Sequence, residues 1–174
     1  MSAPFGITLY SPIETLSVVQ DLGHGNYLVE APSPHPMFDA YLVRATPALG
    51  VVWIKGLGTD IENDNFGTAT RTLIDRLTEQ LAQKYGRSEK SDFLMNGSIW
   101  TEPQDWMNGL VNRERYYSSE WIRPGATQLP DDLESIFVGA IPQNGYCATM
   151  VIEYASRKLD QAEAEIERQL ADIL

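Results

Sequence analysis

Asp60, Glu62 and Asp64 stand at alternate positions, the spacing at which a calcium-binding loop supplies its first ligands. The pattern then departs from that loop, because the sixth position is Asn65 where a glycine makes the turn, and the twelfth is Arg71 where a bidentate Glu closes the shell. The three acids instead read as a solvated loop ahead of a helix N-terminus, where carboxylates are favoured electrostatically. Gly56-Leu57-Gly58 follows a strand-like run but lacks the third glycine and immediate helix of a dinucleotide-phosphate loop. His24, between Gly23 and Gly25, and His35, between Pro34 and Pro36, are the only imidazoles, and neither has a partner at helical metal-ligand spacing. Cys147 sits in an apolar run and reads as a small core residue. No serine occupies a Gly-x-Ser-x-Gly elbow, and the paired acids Asp131-Asp132 and Glu163 with Glu167 read as surface charge, not as an acid–base pair. No catalytic residue, metal or cofactor is expected from these motifs, and the enzyme reading has none behind it.

Two irregular stretches remain as places for recognition. The prolines around His35 hold the backbone extended and present the ring from a stiff loop. Trp100 and Trp106 flank Glu102, Pro103 and Asp105, where a tryptophan is either a lid on the core or an exposed anchor for a partner. Loops on a rigid scaffold are where binding residues collect, so His35, Asp105 and Trp106 are the candidate partner-binding residues.

These stretches are positioned by a scaffold that the hydrophobic pattern outlines. Leu73, Leu77, Leu81 and Tyr85 recur every four residues from Phe66 to Gly86, with Ala69 and Ile74 widening the stripe, which predicts a helix of about six turns. Gly86 suits its left-handed termination. Ser11-Pro12-Ile13-Glu14 carries a cap, an early proline and a capping-box acid, predicting a helix that Gly23 stops. Strands are predicted at 27–31, at 38–46 and from Val51 to a loosened end at Gly56 and Gly58. Three more follow at 115–123, 133–141 and 146–154, the last pair joined by an Asn144-Gly145 turn. Residues 91–100 are ambiguous, a short helix is opened by Thr101-Glu102-Pro103, and a helix over 159–174 carries Leu159, Ala162, Ile166, Leu170 and Ile173 on one face. Trp53 and Trp121, on strands, read as core. The expectation is a single α+β domain, 1–174. Its antiparallel sheet has about six strands in two three-strand meanders, packed by a long central helix on which both halves rest and by N- and C-terminal helices.

Composition narrows the function classes. The 174 residues, 43% hydrophobic, are enough for a core. No apolar run approaches the roughly 18 residues of a membrane span, no signal-peptide pattern opens the chain, and one cysteine allows a reducing compartment, so the expected location is cytoplasmic. The net charge of −11 is concentrated at the two ends of the chain, whereas residues 67–123 balance eight acids with eight bases. Such a surface repels phosphate backbones and anionic lipid and suits a protein partner with a basic surface; no nucleic acid or membrane partner is expected.

The residues also carry a resemblance. Phe5-Gly6, Pro34-His35-Pro36 with Phe38 and Tyr41, Gly50-Val51 with Ile54, Tyr85-Gly86, and Asp92-Phe93-Leu94 begin it. Gly97-Ser98-Ile99-Trp100, Pro103 with Asp105-Trp106-Met107, Glu114-Arg115, Leu129-Pro130 and Tyr154 complete it. At these positions, over nearly its full length, the chain resembles an uncharacterised family of small bacterial and mobile-element proteins. The resemblance implies a stand-alone module of bacterial or phage origin and carries no activity with it. A looser, fold-level likeness is to class I type III secretion chaperones, which are small, acidic and cytoplasmic; this chain is longer and adds the segment from Ser91 to Glu114. The leading expectation is a non-enzymatic inhibitor, immunity or anti-defence protein. The alternatives are an effector chaperone, or a small enzyme or ligand-binding domain whose pocket leaves no sequence motif.

Overall fold

Eight strands, not six, make the sheet. The structure, a computed structural model, describes residues Met1 to Leu174. Its strands are β1 (Ser17–Gly23), β2 (Asn26–Glu30), β3 (Ala40–Thr46), β4 (Gly50–Ile61), β5 (Glu89–Leu94), β6 (Arg115–Ile122), β7 (Leu133–Asn144) and β8 (Cys147–Ser156). Three helices, α1 (Thr68–Tyr85), α2 (Trp106–Val111) and α3 (Leu159–Ala171), complete the α+β fold. The strands join in one antiparallel sheet in the order β1-β2-β3-β4-β8-β7-β6-β5, two four-strand meanders instead of two of three. The strands added to the expectation, β1 and β5, end that order at either side, and every residue on them is exposed or half-buried.

The predicted N-terminal helix is replaced by β1. Ser11 Oγ donates to Thr8 O at 2.7 Å instead of capping a helix, Pro12 is extended (ψ 145°), and only the short 3-10 turn Ile13–Thr15 forms. The β-branched Val18 and Val19 then continue in β geometry. The third predicted strand also runs further than expected, because Gly56 and Gly58 lie inside β4 and not at its end.

The chain divides into two compact units. The first comprises Met1–Gly56, Leu129–Ile136 and Glu153–Leu174. Its core takes in an N-terminal segment with one 3-10 turn, Pro4–Gly6, followed by Ile7 and Leu9, both fully buried. The Phe5 ring sits among Phe38, Tyr41 and Tyr154, with centroids 5.5, 4.8 and 5.9 Å away. Tyr10 N–H donates to Val51 O (2.7 Å) and Val51 N–H to Ser11 O (2.9 Å), tying the segment to β4. Gly50 is required at that junction: its φ is +69°, and a Cβ there would lie 2.5 Å from the carbonyl oxygens of Tyr10 and Ser11.

The second unit comprises Leu57–Gln128 and Phe137–Ile152. It alone contains α1, so the long helix is the core element of one unit and not a rod shared by both. Of the expected stripe the helix buries Ile74, Leu77, Leu81 and Tyr85, with Leu73 only half-buried and Thr70 in place of Ala69, and it faces β6 through Thr78 Oγ1, 2.9 Å from Ser119 Oγ. Alternation on β6 puts Tyr117, Ser119 and Trp121 inside. Gly86 ends the helix at φ +78°, its N–H donating to Ala82 O and its carbonyl accepting from Trp121 Nε1 at 2.7 Å. No helix is long and apolar enough to cross a membrane.

Candidate functional site

The acidic stretch 60–64 is divided between two tasks. Asp64 is only 6% exposed, so the stretch is not wholly the solvated loop expected. Its Oδ1 accepts from Ala69 N–H (3.0 Å), and its Oδ2 from Thr70 N–H (2.8 Å) and Thr70 Oγ1 (2.7 Å). A carboxylate is thus fastened to the free N–H groups and positive end of α1. Asp60, on β4, accepts from Thr149 Oγ1 (2.6 Å) and Gln143 Nε2 (2.7 Å). Nearby, Cys147 is buried and its Sγ meets Gln143 Oε1 at 3.7 Å. Burial, reinforced by Asp60 and Glu62, pushes the thiol up, which keeps it protonated and poorly nucleophilic near neutrality.

Trp106 resolves the choice between lid and anchor. It is 4% exposed and packs on Gly67, where a Cβ would lie 2.0 Å from the indole Cε3. Arg71 and Arg115 carry guanidiniums 5.2 and 5.9 Å from the ring centroid, and Tyr117 meets it edge-on at 6.0 Å. A side chain so enclosed has no contact area to give a partner, so Trp106 is a packing residue of the second unit. Half-buried Asp105 closes the 3-10 turn Pro103–Asp105 that leads into α2.

His35 lies in the first unit and is also half-buried. Its N–H donates to Tyr41 Oη (2.8 Å), its Nδ1 accepts from Met37 N–H (3.2 Å), and its ring lies 5.8 Å from that of Phe38. Most of its bonding capacity therefore braces its own loop. His24 occupies an exposed two-residue turn with Gly25, at φ +53° and +75°, between β1 and β2.

Chemistry that the sequence did not signal appears at Asp75, Lys90 and Tyr117. Tyr117 Oη donates to Asp75 Oδ1 (2.7 Å), while Lys90 Nζ lies 2.9 Å from Tyr117 Oη and 3.2 Å from Asp75 Oδ1. The residues come from α1, β5 and β6, so only the register Lys90↔Ser119 and Asp92↔Tyr117 brings them together. The Tyr117 hydrogen bond, joined by Asp75, outweighs burial and holds the Lys90 ammonium above its usual range; burial leads in raising the Tyr117 phenol. Both groups keep their protons near neutral pH, so the trio locks β5 onto α1 and offers no acid–base pair poised to exchange a proton.

One of several shallow grooves along α3 in the first unit, of about 280 Å³, lies where the helix meets the β1–β2 turn and is lined by His24, Tyr27, Pro47, Ile166, Leu170 and Ile173. At its rim Arg44 Nη1 meets Glu163 Oε1 at 2.5 Å, and Thr46 Oγ1 donates to Glu165 (2.8 Å). These partners seat α3, but of its apolar face only Ala162 is buried, while Leu170 and Ile173 are 41% and 80% exposed.

Charge separates the units more sharply than any cluster. The first holds 13 of the acids against five bases, a net −8; the second holds 11 against eight, a net −3. No family model matches the chain, and neither the curated proteins nor the solved structures include a significant match.

Proposed function

We propose that this protein binds a basic partner protein and acts by occupying it, without catalysis of its own. Its narrower form, suggested by the resemblance to bacterial and mobile-element proteins, is an inhibitor, immunity or anti-defence protein. The observation that carries the reading is the concentration of charge: net −8 on the first unit, against −3 on the second. Acidity needed only for solubility has no reason to be segregated, whereas a one-signed surface steers a partner of opposite sign and raises its association rate.

The test is affinity capture from the native host at low salt, followed by kinetics with the purified partner. One stoichiometric basic protein is expected, with an association rate that falls by about tenfold or more as ionic strength rises, while dissociation changes little. Capture of a secreted effector points to the chaperone reading. An association rate indifferent to salt removes charge from recognition.

A further inference from the structure

We propose that the outer edge of β1 is the docking strand, taking an extended segment of a partner protein that alternates apolar residues with Lys or Arg. The inference rests on the basic-partner reading and names the surface that serves it. β1 stands first in the sheet order and pairs only with β2, which leaves its other row of backbone N–H and C=O groups unpaired in the fold. Such an edge is a template for a further strand. Six of its seven residues are exposed, among them Val18 (41%), Val19 (58%) and Leu22 (44%).

Edges are usually guarded by charge, particularly lysine. β5, the strand at the other end of the order, carries Glu89, Lys90 and Asp92 within six residues. β1 carries Asp21 alone, and no Lys or Arg occurs before Arg44. Glu30 lies directly across from Ser17, so acid flanks the edge near both ends. That charge selects the occupant. A second copy sets Asp21 against another acidic edge, and phosphate-bearing surfaces are repelled, whereas a basic strand finds apolar contacts and opposite charge together. Register shifts between Val18 and Gln20 and between Asp21 and Gly23 deny a long flat template. Pairing there depends on side-chain fit as well as on backbone bonds.

The full chain, labelled for NMR, is titrated with two acetylated, amidated hexapeptides, one alternating lysine with valine and the other glutamate with valine. The lysine peptide is expected to shift β1 amide resonances saturably and slow their hydrogen exchange. The glutamate peptide is expected to bind about tenfold or more weakly. Val19→Lys and Asp21→Asn should each weaken the lysine peptide several-fold at an unchanged melting temperature, Asn keeping the acceptor that holds Gly23 N–H. Shifts confined to α3 or spread over the acidic surface, with β1 silent, overturn the edge assignment and leave the basic-partner reading standing. Equal binding of the two peptides overturns both, and no binding of either overturns the edge.

Discussion

Each unit owns a long amphipathic helix, and only one of them buries it. α1 buries Ile74, Leu77, Leu81 and Tyr85, while α3 buries Ala162 and leaves Leu170 and Ile173 in solvent. Apolar periodicity is present in both, so periodicity reports a face that can be covered, not one that is. The first unit fills its core another way, with Ile7, Leu9 and the Phe5 ring from an N-terminal segment that forms only the 3-10 turn Pro4–Gly6. One unit is therefore organised around a helix, the other around a threaded strap with its helix at the rim.

The largest effect expected from that difference comes from matched truncations. Leu77→Ala removes a side chain 4% exposed and should cost about 2–5 kcal/mol, whereas Leu170→Ala, at 41% exposure, should stay within about 0.5 kcal/mol. Urea unfolding of the two variants measures both, and equal losses would break the comparison. Next in size is Asp64→Ala, which strips α1 of a buried carboxylate and leaves Ala69 N–H and the Thr70 donors without it. A loss of about 1.5–3 kcal/mol is expected, with Asp64→Asn losing less because it keeps an acceptor. A midpoint unchanged in Asp64→Ala would show that α1 needs no fastening at its N-terminus.

Much of the fold was legible for the same reason that α1 was. β2, β3, β6, β7, β8 and the three helices α1, α2 and α3 sit close to their expected places, because one side of each strand or helix is apolar and the turns between them carry Gly, Pro or Asn. β1 and β5 escaped because an edge strand exposed on both faces has no alternation to read: Ser17–Gly23 is exposed at every residue but Gly23. The Ser11-Pro12-Ile13-Glu14 signal was sound as local chemistry, yet Ser11 found Thr8 O first and the valines that followed favoured a strand. At the candidate site, His35, Asp105 and Trp106 stand out in the sequence by their irregular surroundings, and irregular backbone is compatible with burial. Trp106 needed Gly67, 39 residues earlier, to make its slot, and no local pattern announces such a pairing. The Asp75, Lys90 and Tyr117 trio was invisible for a similar reason, since a strand register assembles it.

The smallest effect concerns the strap of the first unit and separates it from α1 by pH. Ser2 N–H and Ser2 Oγ grip Asp132 Oδ2 and Oδ1 at 2.5 and 2.6 Å, tying the start of the chain to the turn before β7. Burial alone pushes the Asp132 carboxyl up, but the two Ser2 bonds, joined by its own backbone N–H and the N-terminal charge, more than offset it, and the group ends below its ordinary value of 3.8. A carboxyl lowered on folding contributes stability that is present above its unfolded value and is lost as pH falls through the folded one. The gap in urea midpoint between the native chain and Asp132→Asn should therefore be constant from pH 7 down to about pH 5, and should close progressively below pH 4. Ser2→Ala, which removes the hydroxyl and keeps the N–H, should show a smaller gap closing over the same window. Leu77→Ala, whose loss involves no titrating group, should run parallel to the native chain throughout. Parallel curves for Asp132→Asn as well would mean that the clasp adds nothing to stability, and the strap would then owe its place to the burial of Ile7 and Leu9, the Phe5 ring and its backbone bonds to β4.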